Sequence, residues 1–353
     1  MTRKENSEGI LLMFSLPIVT VAILALVTSG IITRFLIPWI INASLKQGIT
    51  TVDAHKKNQP IIAETGGLAA LLGFIFTILI IIFIWEYLDF YFGTIESNFF
   101  EPLLAGLLSV VIAGLIGFLD DVFKIRWRDK VLLGFLPAIP LMALNVGTSS
   151  VNLGIFGSVN LVFEGFNLYT LVVIPLAVNF AFNSFNMFAG FNGLEAGNGS
   201  ISLFLILILA LYLDNSIVTI FVTSLLGGYL ILLKFNWFPA KILIGDVGTL
   251  TLGTGIIVAL IIGNMDRLAV GFFALHFLNF LLFSVYMITK QESKLATIDE
   301  NGYIVAPCPY TAYWILPYYL KNIGEKKNVV ILLIIHTIIS LGVLILSLPA
   351  YSP

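Results

Sequence analysis

Residues 66–88 read GGLAALLGFIFTILIIIFIWEYL, twenty-three positions in which Glu86 is the one charged side chain. At about 1.5 Å per residue, a helix of this length crosses the roughly 30 Å hydrocarbon layer of a bilayer. Outward from it, similar apolar runs fall at about 9–33, 102–119, 131–148, 168–188, 199–213, 215–233, 247–263, 268–289 and 328–349. The expected fold is all-α: a polytopic membrane protein of about ten transmembrane helices, with residues 1–353 as a single transmembrane domain. Composition agrees, because 59% of the chain is hydrophobic and 11% charged, against roughly 45–50% apolar content in soluble domains. The runs at 199–213 and 215–233 meet at Asp214 and Asn215 and are short. Two spans are expected there, with one re-entrant hairpin as the alternative. The first run follows Arg3 and Lys4 as a signal peptide would, yet it has no small-residue cleavage site and reads as a retained helix.

The basic residues are unevenly shared between the two ends of these spans. They gather after odd-numbered helices, from Arg34, Lys46, Lys56 and Lys57 in the first loop to Lys321, Lys326 and Lys327 in the last, while Arg3, Lys4 and Arg267 lie opposite. The positive-inside rule then predicts a multi-pass protein of the cell membrane with odd loops in the cytoplasm and both termini outside. The last such loop, 290–328, is predicted to hold a short hairpin over Lys294–Ala306, turning at Asn301-Gly302. The single Cys308 excludes an internal disulfide framework, and three scattered histidines do not suggest zinc. A net charge of −2 gives no reason to expect nucleic acid as a partner.

Polar residues that chemistry could use lie in the odd loops. After the third span come Gly117-Phe118-Leu119-Asp120-Asp121, then Lys124, Arg126, Trp127, Arg128 and Lys130. Adjacent carboxylates at a helix end repel each other and are costly near hydrocarbon, so they call for a cation, a proton partner or water. The plain alternative is a solvated helix end in a basic cluster. After the fifth span, Asn179, Asn183 and Asn186 recur at spacings of four and three, one amide stripe on a helix. Interhelical hydrogen bonding accounts for Asn179. Asn186, by contrast, precedes a glycine-rich turn with Gly190, Asn192 and Glu195, where backbone could approach a ligand. After the seventh span, Asn236-Trp237-Phe238-Pro239 leads to Gly245-Asp246, a carboxylate with no charged sequence neighbour. Asp246 with Asp120, Asp121 and Asn186 makes a plausible hard-oxygen site for Mg2+ or Mn2+. In the first loop, Glu64 stands beside Gly66-Gly67, while Lys56 and Lys57 read as solvated positive-inside lysines.

In this order these pieces resemble the polyprenyl-phosphate N-acetylhexosamine-1-phosphate transferases of glycosyltransferase family 4, and above all the archaeal and eukaryotic UDP-GlcNAc:dolichyl-phosphate GlcNAc-1-phosphotransferase branch. Gly117–Lys130 resembles the family's Asp-Asp motif with its Arg-Trp-Arg-x-Lys tail. Asn183–Gly197 is similar to N-x-x-N-x-x-A-G-x-N-G-L-E-A-G, and Asn236–Asp246 to N-W-x-P-x-x-x-x-x-G-D. Glu64-x-x-Gly67 and Pro307-Cys308-Pro309 extend the likeness over nearly the whole chain. The resemblance implies transfer of a sugar-1-phosphate, GlcNAc-1-phosphate foremost, from a UDP-sugar to a polyprenyl or dolichyl phosphate in the bilayer. UMP is released, as in the first membrane step of N-glycosylation. It implies Mg2+, with Mn2+ as substitute, on Asn186 and Asp246, Lys130 on the pyrophosphate, and Asp120 and Asp121 at the lipid-phosphate side. Asn192 would read uracil with Glu64 as helper, Gly190 would give the nucleotide room, and Trp127 would lie beside the sugar.

Two departures mark the sugar end. Tyr310-Thr311-Ala312-Tyr313-Trp314 replaces the eukaryotic basic segment after Pro-Cys-Pro, and the bacterial histidine cluster is absent too. Lys124 stands where the eukaryotic pattern has asparagine, which would add a phosphate contact or reshape the sugar pocket. The alternatives are the same chemistry on another UDP-linked cell-wall precursor and, from a different class, a lipid-linked transporter or flippase. No inverted repeat favours the latter. A homodimer is left open.

Overall fold

In hydrocarbon every backbone N–H and C=O must find a partner within the protein, and a helix achieves this within one segment. The structure, a computed structural model, describes residues 18–92, 100–147, 150–152, 158–163, 165–289 and 296–351, and is mostly helical. Among the described residues, eight helices are long and apolar enough to cross a membrane: α1 (Ile18–Gln47), α2 (Gly67–Phe92), α3 (Glu101–Phe123), the run Tyr169–Met187 that contains α6 (Ile174–Met187), α7 (Leu194–Tyr212), α8 (Ser216–Asn236), α9 (Gly245–Ile262) and α13, which spans Glu325–Ser347. A bent pair, Asp266–Phe272 with Ala274–Thr289, is broken by 57° and makes a ninth when counted as one span. Their outward faces are apolar, as in Leu346, 81% exposed, and Phe83, 71% exposed. Lipid is the solvent for such a surface, and the protein is a multi-pass membrane protein.

The expected fourth span, 131–148, is not one long helix but makes its crossing in pieces. It is a chain of short pieces: α4 (Trp127–Leu133), a 3-10 turn (Leu136–Ala138) and α5 (Ile139–Ala143). Pro137 and Pro140 each withhold a backbone donor, and the helix is broken around them. The segment runs antiparallel to α6: Asn179 donates to Val131 O at 2.7 Å, and Thr170 Oγ1 to Asn145 Oδ1 at 3.1 Å. The expected pair at 199–213 and 215–233 is two full helices. Asn215 caps α8 by accepting from Val218 N at 3.0 Å. Helix α1 continues past the expected end at 33, through Pro38, so Arg34 lies within the helix, 5.1 Å over the Phe235 ring, and not in the first loop. Residues 9–17, Arg3 and Lys4 lie outside the described residues.

Helix α9 forms the centre of the bundle, buried over 83% of its length and packed by α2, α3, α6 and α7. Association between helices in lipid rests on close packing, which small side chains permit. At Gly117 of α3, a Cβ would sit 2.5 Å from Val247 Cα. The two backbones touch there, and the end of α3 is clamped to the start of α9. A short hairpin, β1 (Thr50–Val52) with β2 (Ile61–Ala63), follows α1. Its second strand is tied to the chain ahead of α9, because Leu243 N donates to Ala63 O and Gly66 N to Leu243 O, at 2.8 and 2.9 Å. The last loop carries another hairpin: Thr297–Ile298 pairs with Ile304–Val305 around a turn containing Asn301 and Gly302. The start of the predicted loop, 290–295, is outside the described residues. The ends of α3 and α6 and the starts of α2, α4 and α9 thus share one end of the bundle.

Candidate active site

The adjacent acids at the end of α3 point to different partners. Lys124 takes a left-handed conformation (φ +53°) and its N–H closes on Asp120 O at 2.8 Å. That turn lets Ile125 N donate to Asp120 Oδ1 at 2.7 Å. The chain then starts α4, whose Lys130 reaches back to Asp120 Oδ2 at 2.6 Å. Asp121 instead faces α9: Asp246 N donates to its Oδ1 at 2.7 Å and Val247 N to its Oδ2 at 3.3 Å. These are N-terminal amides that no helical carbonyl can satisfy, and an anion there also meets the positive end of the helix dipole. Gly245, at φ +70° beside Glu64 O and Asp121, makes the sharp entry that aims Asp246.

Three oxygens from three distant segments converge on one ammonium. Lys130 Nζ lies 2.6 Å from Asp120 Oδ2, 3.2 Å from Asn186 Oδ1 and 3.3 Å from Asp246 Oδ2. The Asn186 amide nitrogen is spent on Asp246 Oδ1 and on Thr249 Oγ1, so its oxygen is the atom facing that point. Burial works against the Lys130 charge, but Asp246 and Asp120 outweigh it and hold its pKa above the usual lysine value. Asp120, Asp246 and Lys130 together leave a net negative charge. The donor set is all hard oxygen, which suits Mg2+ or Mn2+. Among the described residues no three His, Cys, Asp or Glu side chains form a metal cage. A magnesium ion that keeps waters and shares phosphate oxygens needs no such cage, so Asn186 and Asp246 fit that ion.

A cavity of about 250 Å³ opens beside this point, lined by Asp53, His55, Glu64, Gly190, Asn192 and Asp246, among others. Glu64, Gly190, Asn192 and Asp246, singled out from sequence, therefore line one cavity. Lys124 bridges to Glu64 at 2.9 Å, and that carboxylate overcomes partial burial to raise the lysine's pKa. Trp127 sits apart on the exposed first turn of α4, 63% exposed, with Arg128 over its ring at 5.7 Å. Burial, then the neighbouring Lys56, pushes His55 down to about 4, so a neutral imidazole borders the cavity.

The turn carrying Gly190 and Asn192 is held by side chains from other segments. Gly190 N donates to Glu195 Oε1 at 2.7 Å, Asn192 N to Glu325 Oε1 at 2.8 Å and Gly193 N to Asn236 Oδ1 at 3.0 Å. Asn236 also donates to Ile242 O at 3.1 Å. Tyr313 packs beneath Gly190, where a Cβ would come 2.9 Å from its ring, and burial pushes its phenol up to about 12. The segment that replaces the basic sugar-reading residues is thus a support for the turn. Lys56 departs from its expected role as a solvated loop lysine. Its side chain is only 14% exposed and pairs with Asp53 at 3.3 Å and with Glu325. Sequence reasoning missed Glu325, Thr249 and the Asp53–Asn192 bond, because each meets its partner at the site across a long stretch of chain. Asn236 was visible as the first residue of its motif, though not its bond.

The chain is similar to known proteins along most of its length. Residues 103–264 match the family model for glycosyl transferase family 4, a stretch that contains Asp120, Asp121, Lys130, Asn186 and Asp246. A Sulfolobus acidocaldarius protein provisionally named UDP-N-acetylglucosamine–dolichyl-phosphate N-acetylglucosaminephosphotransferase is 27% identical over 89% of this chain and 91% of its own length. The Schizosaccharomyces pombe protein of the same name is 30% identical over 71% of this chain and 64% of its own length. A phospho-N-acetylmuramoyl-pentapeptide-transferase of Caldanaerobacter subterraneus is 36% identical over 43% of this chain and 49% of its own. With the motifs in one order, their side chains meeting at one end of a membrane bundle and relatives matched along most of its length, the chain carries a glycosyl transferase family 4 domain over residues 103–264.

Proposed function

We propose that this protein transfers GlcNAc-1-phosphate from UDP-GlcNAc to a polyprenyl phosphate of the dolichyl type, releasing UMP and leaving a lipid-diphospho-sugar in the bilayer. The observation that carries this reading is the meeting of Asp120, Lys130, Asn186 and Asp246 beside a cavity bordered by Asn192 and Glu64, at one end of the bundle. Phosphoryl transfer needs in-line placement and charge neutralisation more than covalent help from the protein. Lys130 supplies a fixed positive charge to the pyrophosphate. Asp120, held by Lys130 and Ile125 N, orients the incoming lipid phosphate, which is already largely ionised near neutral pH. The lipid phosphate oxygen forms a bond to the phosphorus that bears the sugar, and the bond from that phosphorus to UMP breaks. Asp121 keeps Asp246 in place through the start of α9. Asn186 and Asp246 would hold Mg2+, which when bound neutralises the pyrophosphate charge.

The distribution of lysines supports a site on the cytoplasmic side of the cell membrane with both termini outside. The product so formed would start a membrane-bound glycan such as that of N-glycosylation. Mass analysis of lipid products made by the purified protein from a panel of UDP-sugars tests the reading. A UDP-GlcNAc-derived lipid diphosphate is the expected product. A product formed only from a UDP-sugar peptide would move the substrate to a cell-wall precursor, and no lipid product from any UDP-sugar would end the transferase reading.

A further inference from the structure

The amide of Asn192 is oriented by a buried ring of charges. Its Nδ2 donates to Asp53 Oδ2 at 2.9 Å. An ionised carboxylate accepts and cannot donate, so the amide nitrogen must face Asp53. The oxygen is thereby turned away, and it has no hydrogen-bond partner among the described residues, on a residue that lines the cavity. Asp53 is held in turn. Lys56 Nζ lies 3.3 Å from it and pairs with Glu325, and Glu325 Oε1 accepts from the backbone N–H of the same Asn192 at 2.8 Å. The three side chains are 6, 14 and 2% exposed. The ring runs from Asp53 through Lys56 and Glu325 to the Asn192 backbone and back through the Asn192 side chain. Flipping the amide would set its carbonyl oxygen against the Asp53 carboxylate, two acceptors face to face in a largely buried site.

Uracil carries an N–H at N3, whereas cytosine carries a bare acceptor nitrogen there. A cavity-facing amide oxygen bonds the first and opposes the second. We propose that Asp53, steadied by Lys56 and Glu325, is a specificity-determining positioning residue that selects uracil over cytosine nucleotides by fixing the orientation of the Asn192 amide. This rests on the reading that Asn192 meets the base.

The test uses the full-length purified protein with calorimetric binding of UMP and CMP in the presence of Mg2+, and transfer from UDP-GlcNAc measured separately. The wild type binds UMP more tightly than CMP. Asp53→Asn offers either a donor or an acceptor to Asn192, and lowers the UMP-to-CMP affinity ratio about tenfold. The exchanged pair Asp53→Asn/Asn192→Asp reverses the donor, position 53 now donating to the carboxylate at 192, and keeps an acceptor toward the base, so it recovers most of the lost ratio. It also conserves charge, which serves if Asp53→Asn alone does not fold. A wild-type ratio in Asp53→Asn overturns the inference, as does an exchanged pair with no preference. If the wild type transfers from UDP-GlcNAc but binds UMP and CMP equally, the selection fails and the transferase reading stands. If the ratio responds as expected but no sugar phosphate is transferred, the inference stands and the transferase reading fails.

Discussion

Replacing Asp121 by alanine separates two roles that adjacent acids would otherwise share. Its carboxylate accepts from Asp246 N at 2.7 Å and Val247 N at 3.3 Å, and it is 2% exposed. Alanine leaves two buried amides unpaired at about 1–3 kcal/mol each and removes an anion from the α9 N-terminus, worth up to about 1 kcal/mol. Allowing the longer bond little weight and some water entry, a loss of about 2–4 kcal/mol is expected. At roughly 2 °C per kcal/mol for a chain of this size, the melting temperature in detergent falls by about 4–8 °C. Asp120 bonds one exposed-side amide and Lys130, so Asp120→Asn, which keeps an acceptor for Ile125 N, shifts melting by less than about 2 °C while turnover falls. Melting is followed by intrinsic fluorescence beside an assay of lipid product. A variant Asp121→Ala that melts like the wild type, with Asp120→Asn the less stable protein, would refute this division of labour.

Asp246→Ala and Asn186→Ala lose turnover by about a hundredfold or more, and added Mg2+ restores it only in part; full activity in either variant at limiting Mg2+ removes that residue from the site. Lys130→Met lowers turnover by about 10²–10³, on the scale of one lost charge-stabilising donor. Because Asp246 and Asp120 raise the Lys130 pKa, the stability it contributes is fully present below the lysine reference value of 10.5 and is lost only as pH climbs through the higher folded value. The stability difference between wild type and Lys130→Met should therefore not shrink as pH rises from 6 to 9, and a decline within that window, read from melting curves, contradicts the ion cluster. His55 behaves in the opposite sense: with its pKa pushed down to about 4 from 6.5, stability is lost as pH falls through that interval, by at most about 1.4 kcal/mol per unit. His55→Gln should flatten the acid limb of the melting-temperature profile. Gly117→Val forces α3 off α9 and costs about 1–3 kcal/mol with most of the activity, whereas a substitution at the open Gly342 changes neither.

The apolar runs alone determined a helical membrane protein, since roughly twenty residues without charge admit few other forms in lipid. The motifs pointed to Asp120, Asn186, Asn192 and Asp246 because ionisable and amide groups at a membrane's edge are costly and therefore informative. The broken segment at 127–143 was harder to read: hydropathy registers Pro137 and Pro140 weakly, whereas backbone bonding registers them strongly. What only the tertiary structure decided was the use of each oxygen. No local rule tells that Asp121 caps α9 while Asp120 holds Lys130, or that Lys56 is a buried partner of Asp53 and Glu325 and not a solvated loop lysine. Those assignments depend on contacts between residues more than a hundred positions apart in several cases, and a hydrogen bond reports distance in space, which the order of residues along the chain does not contain.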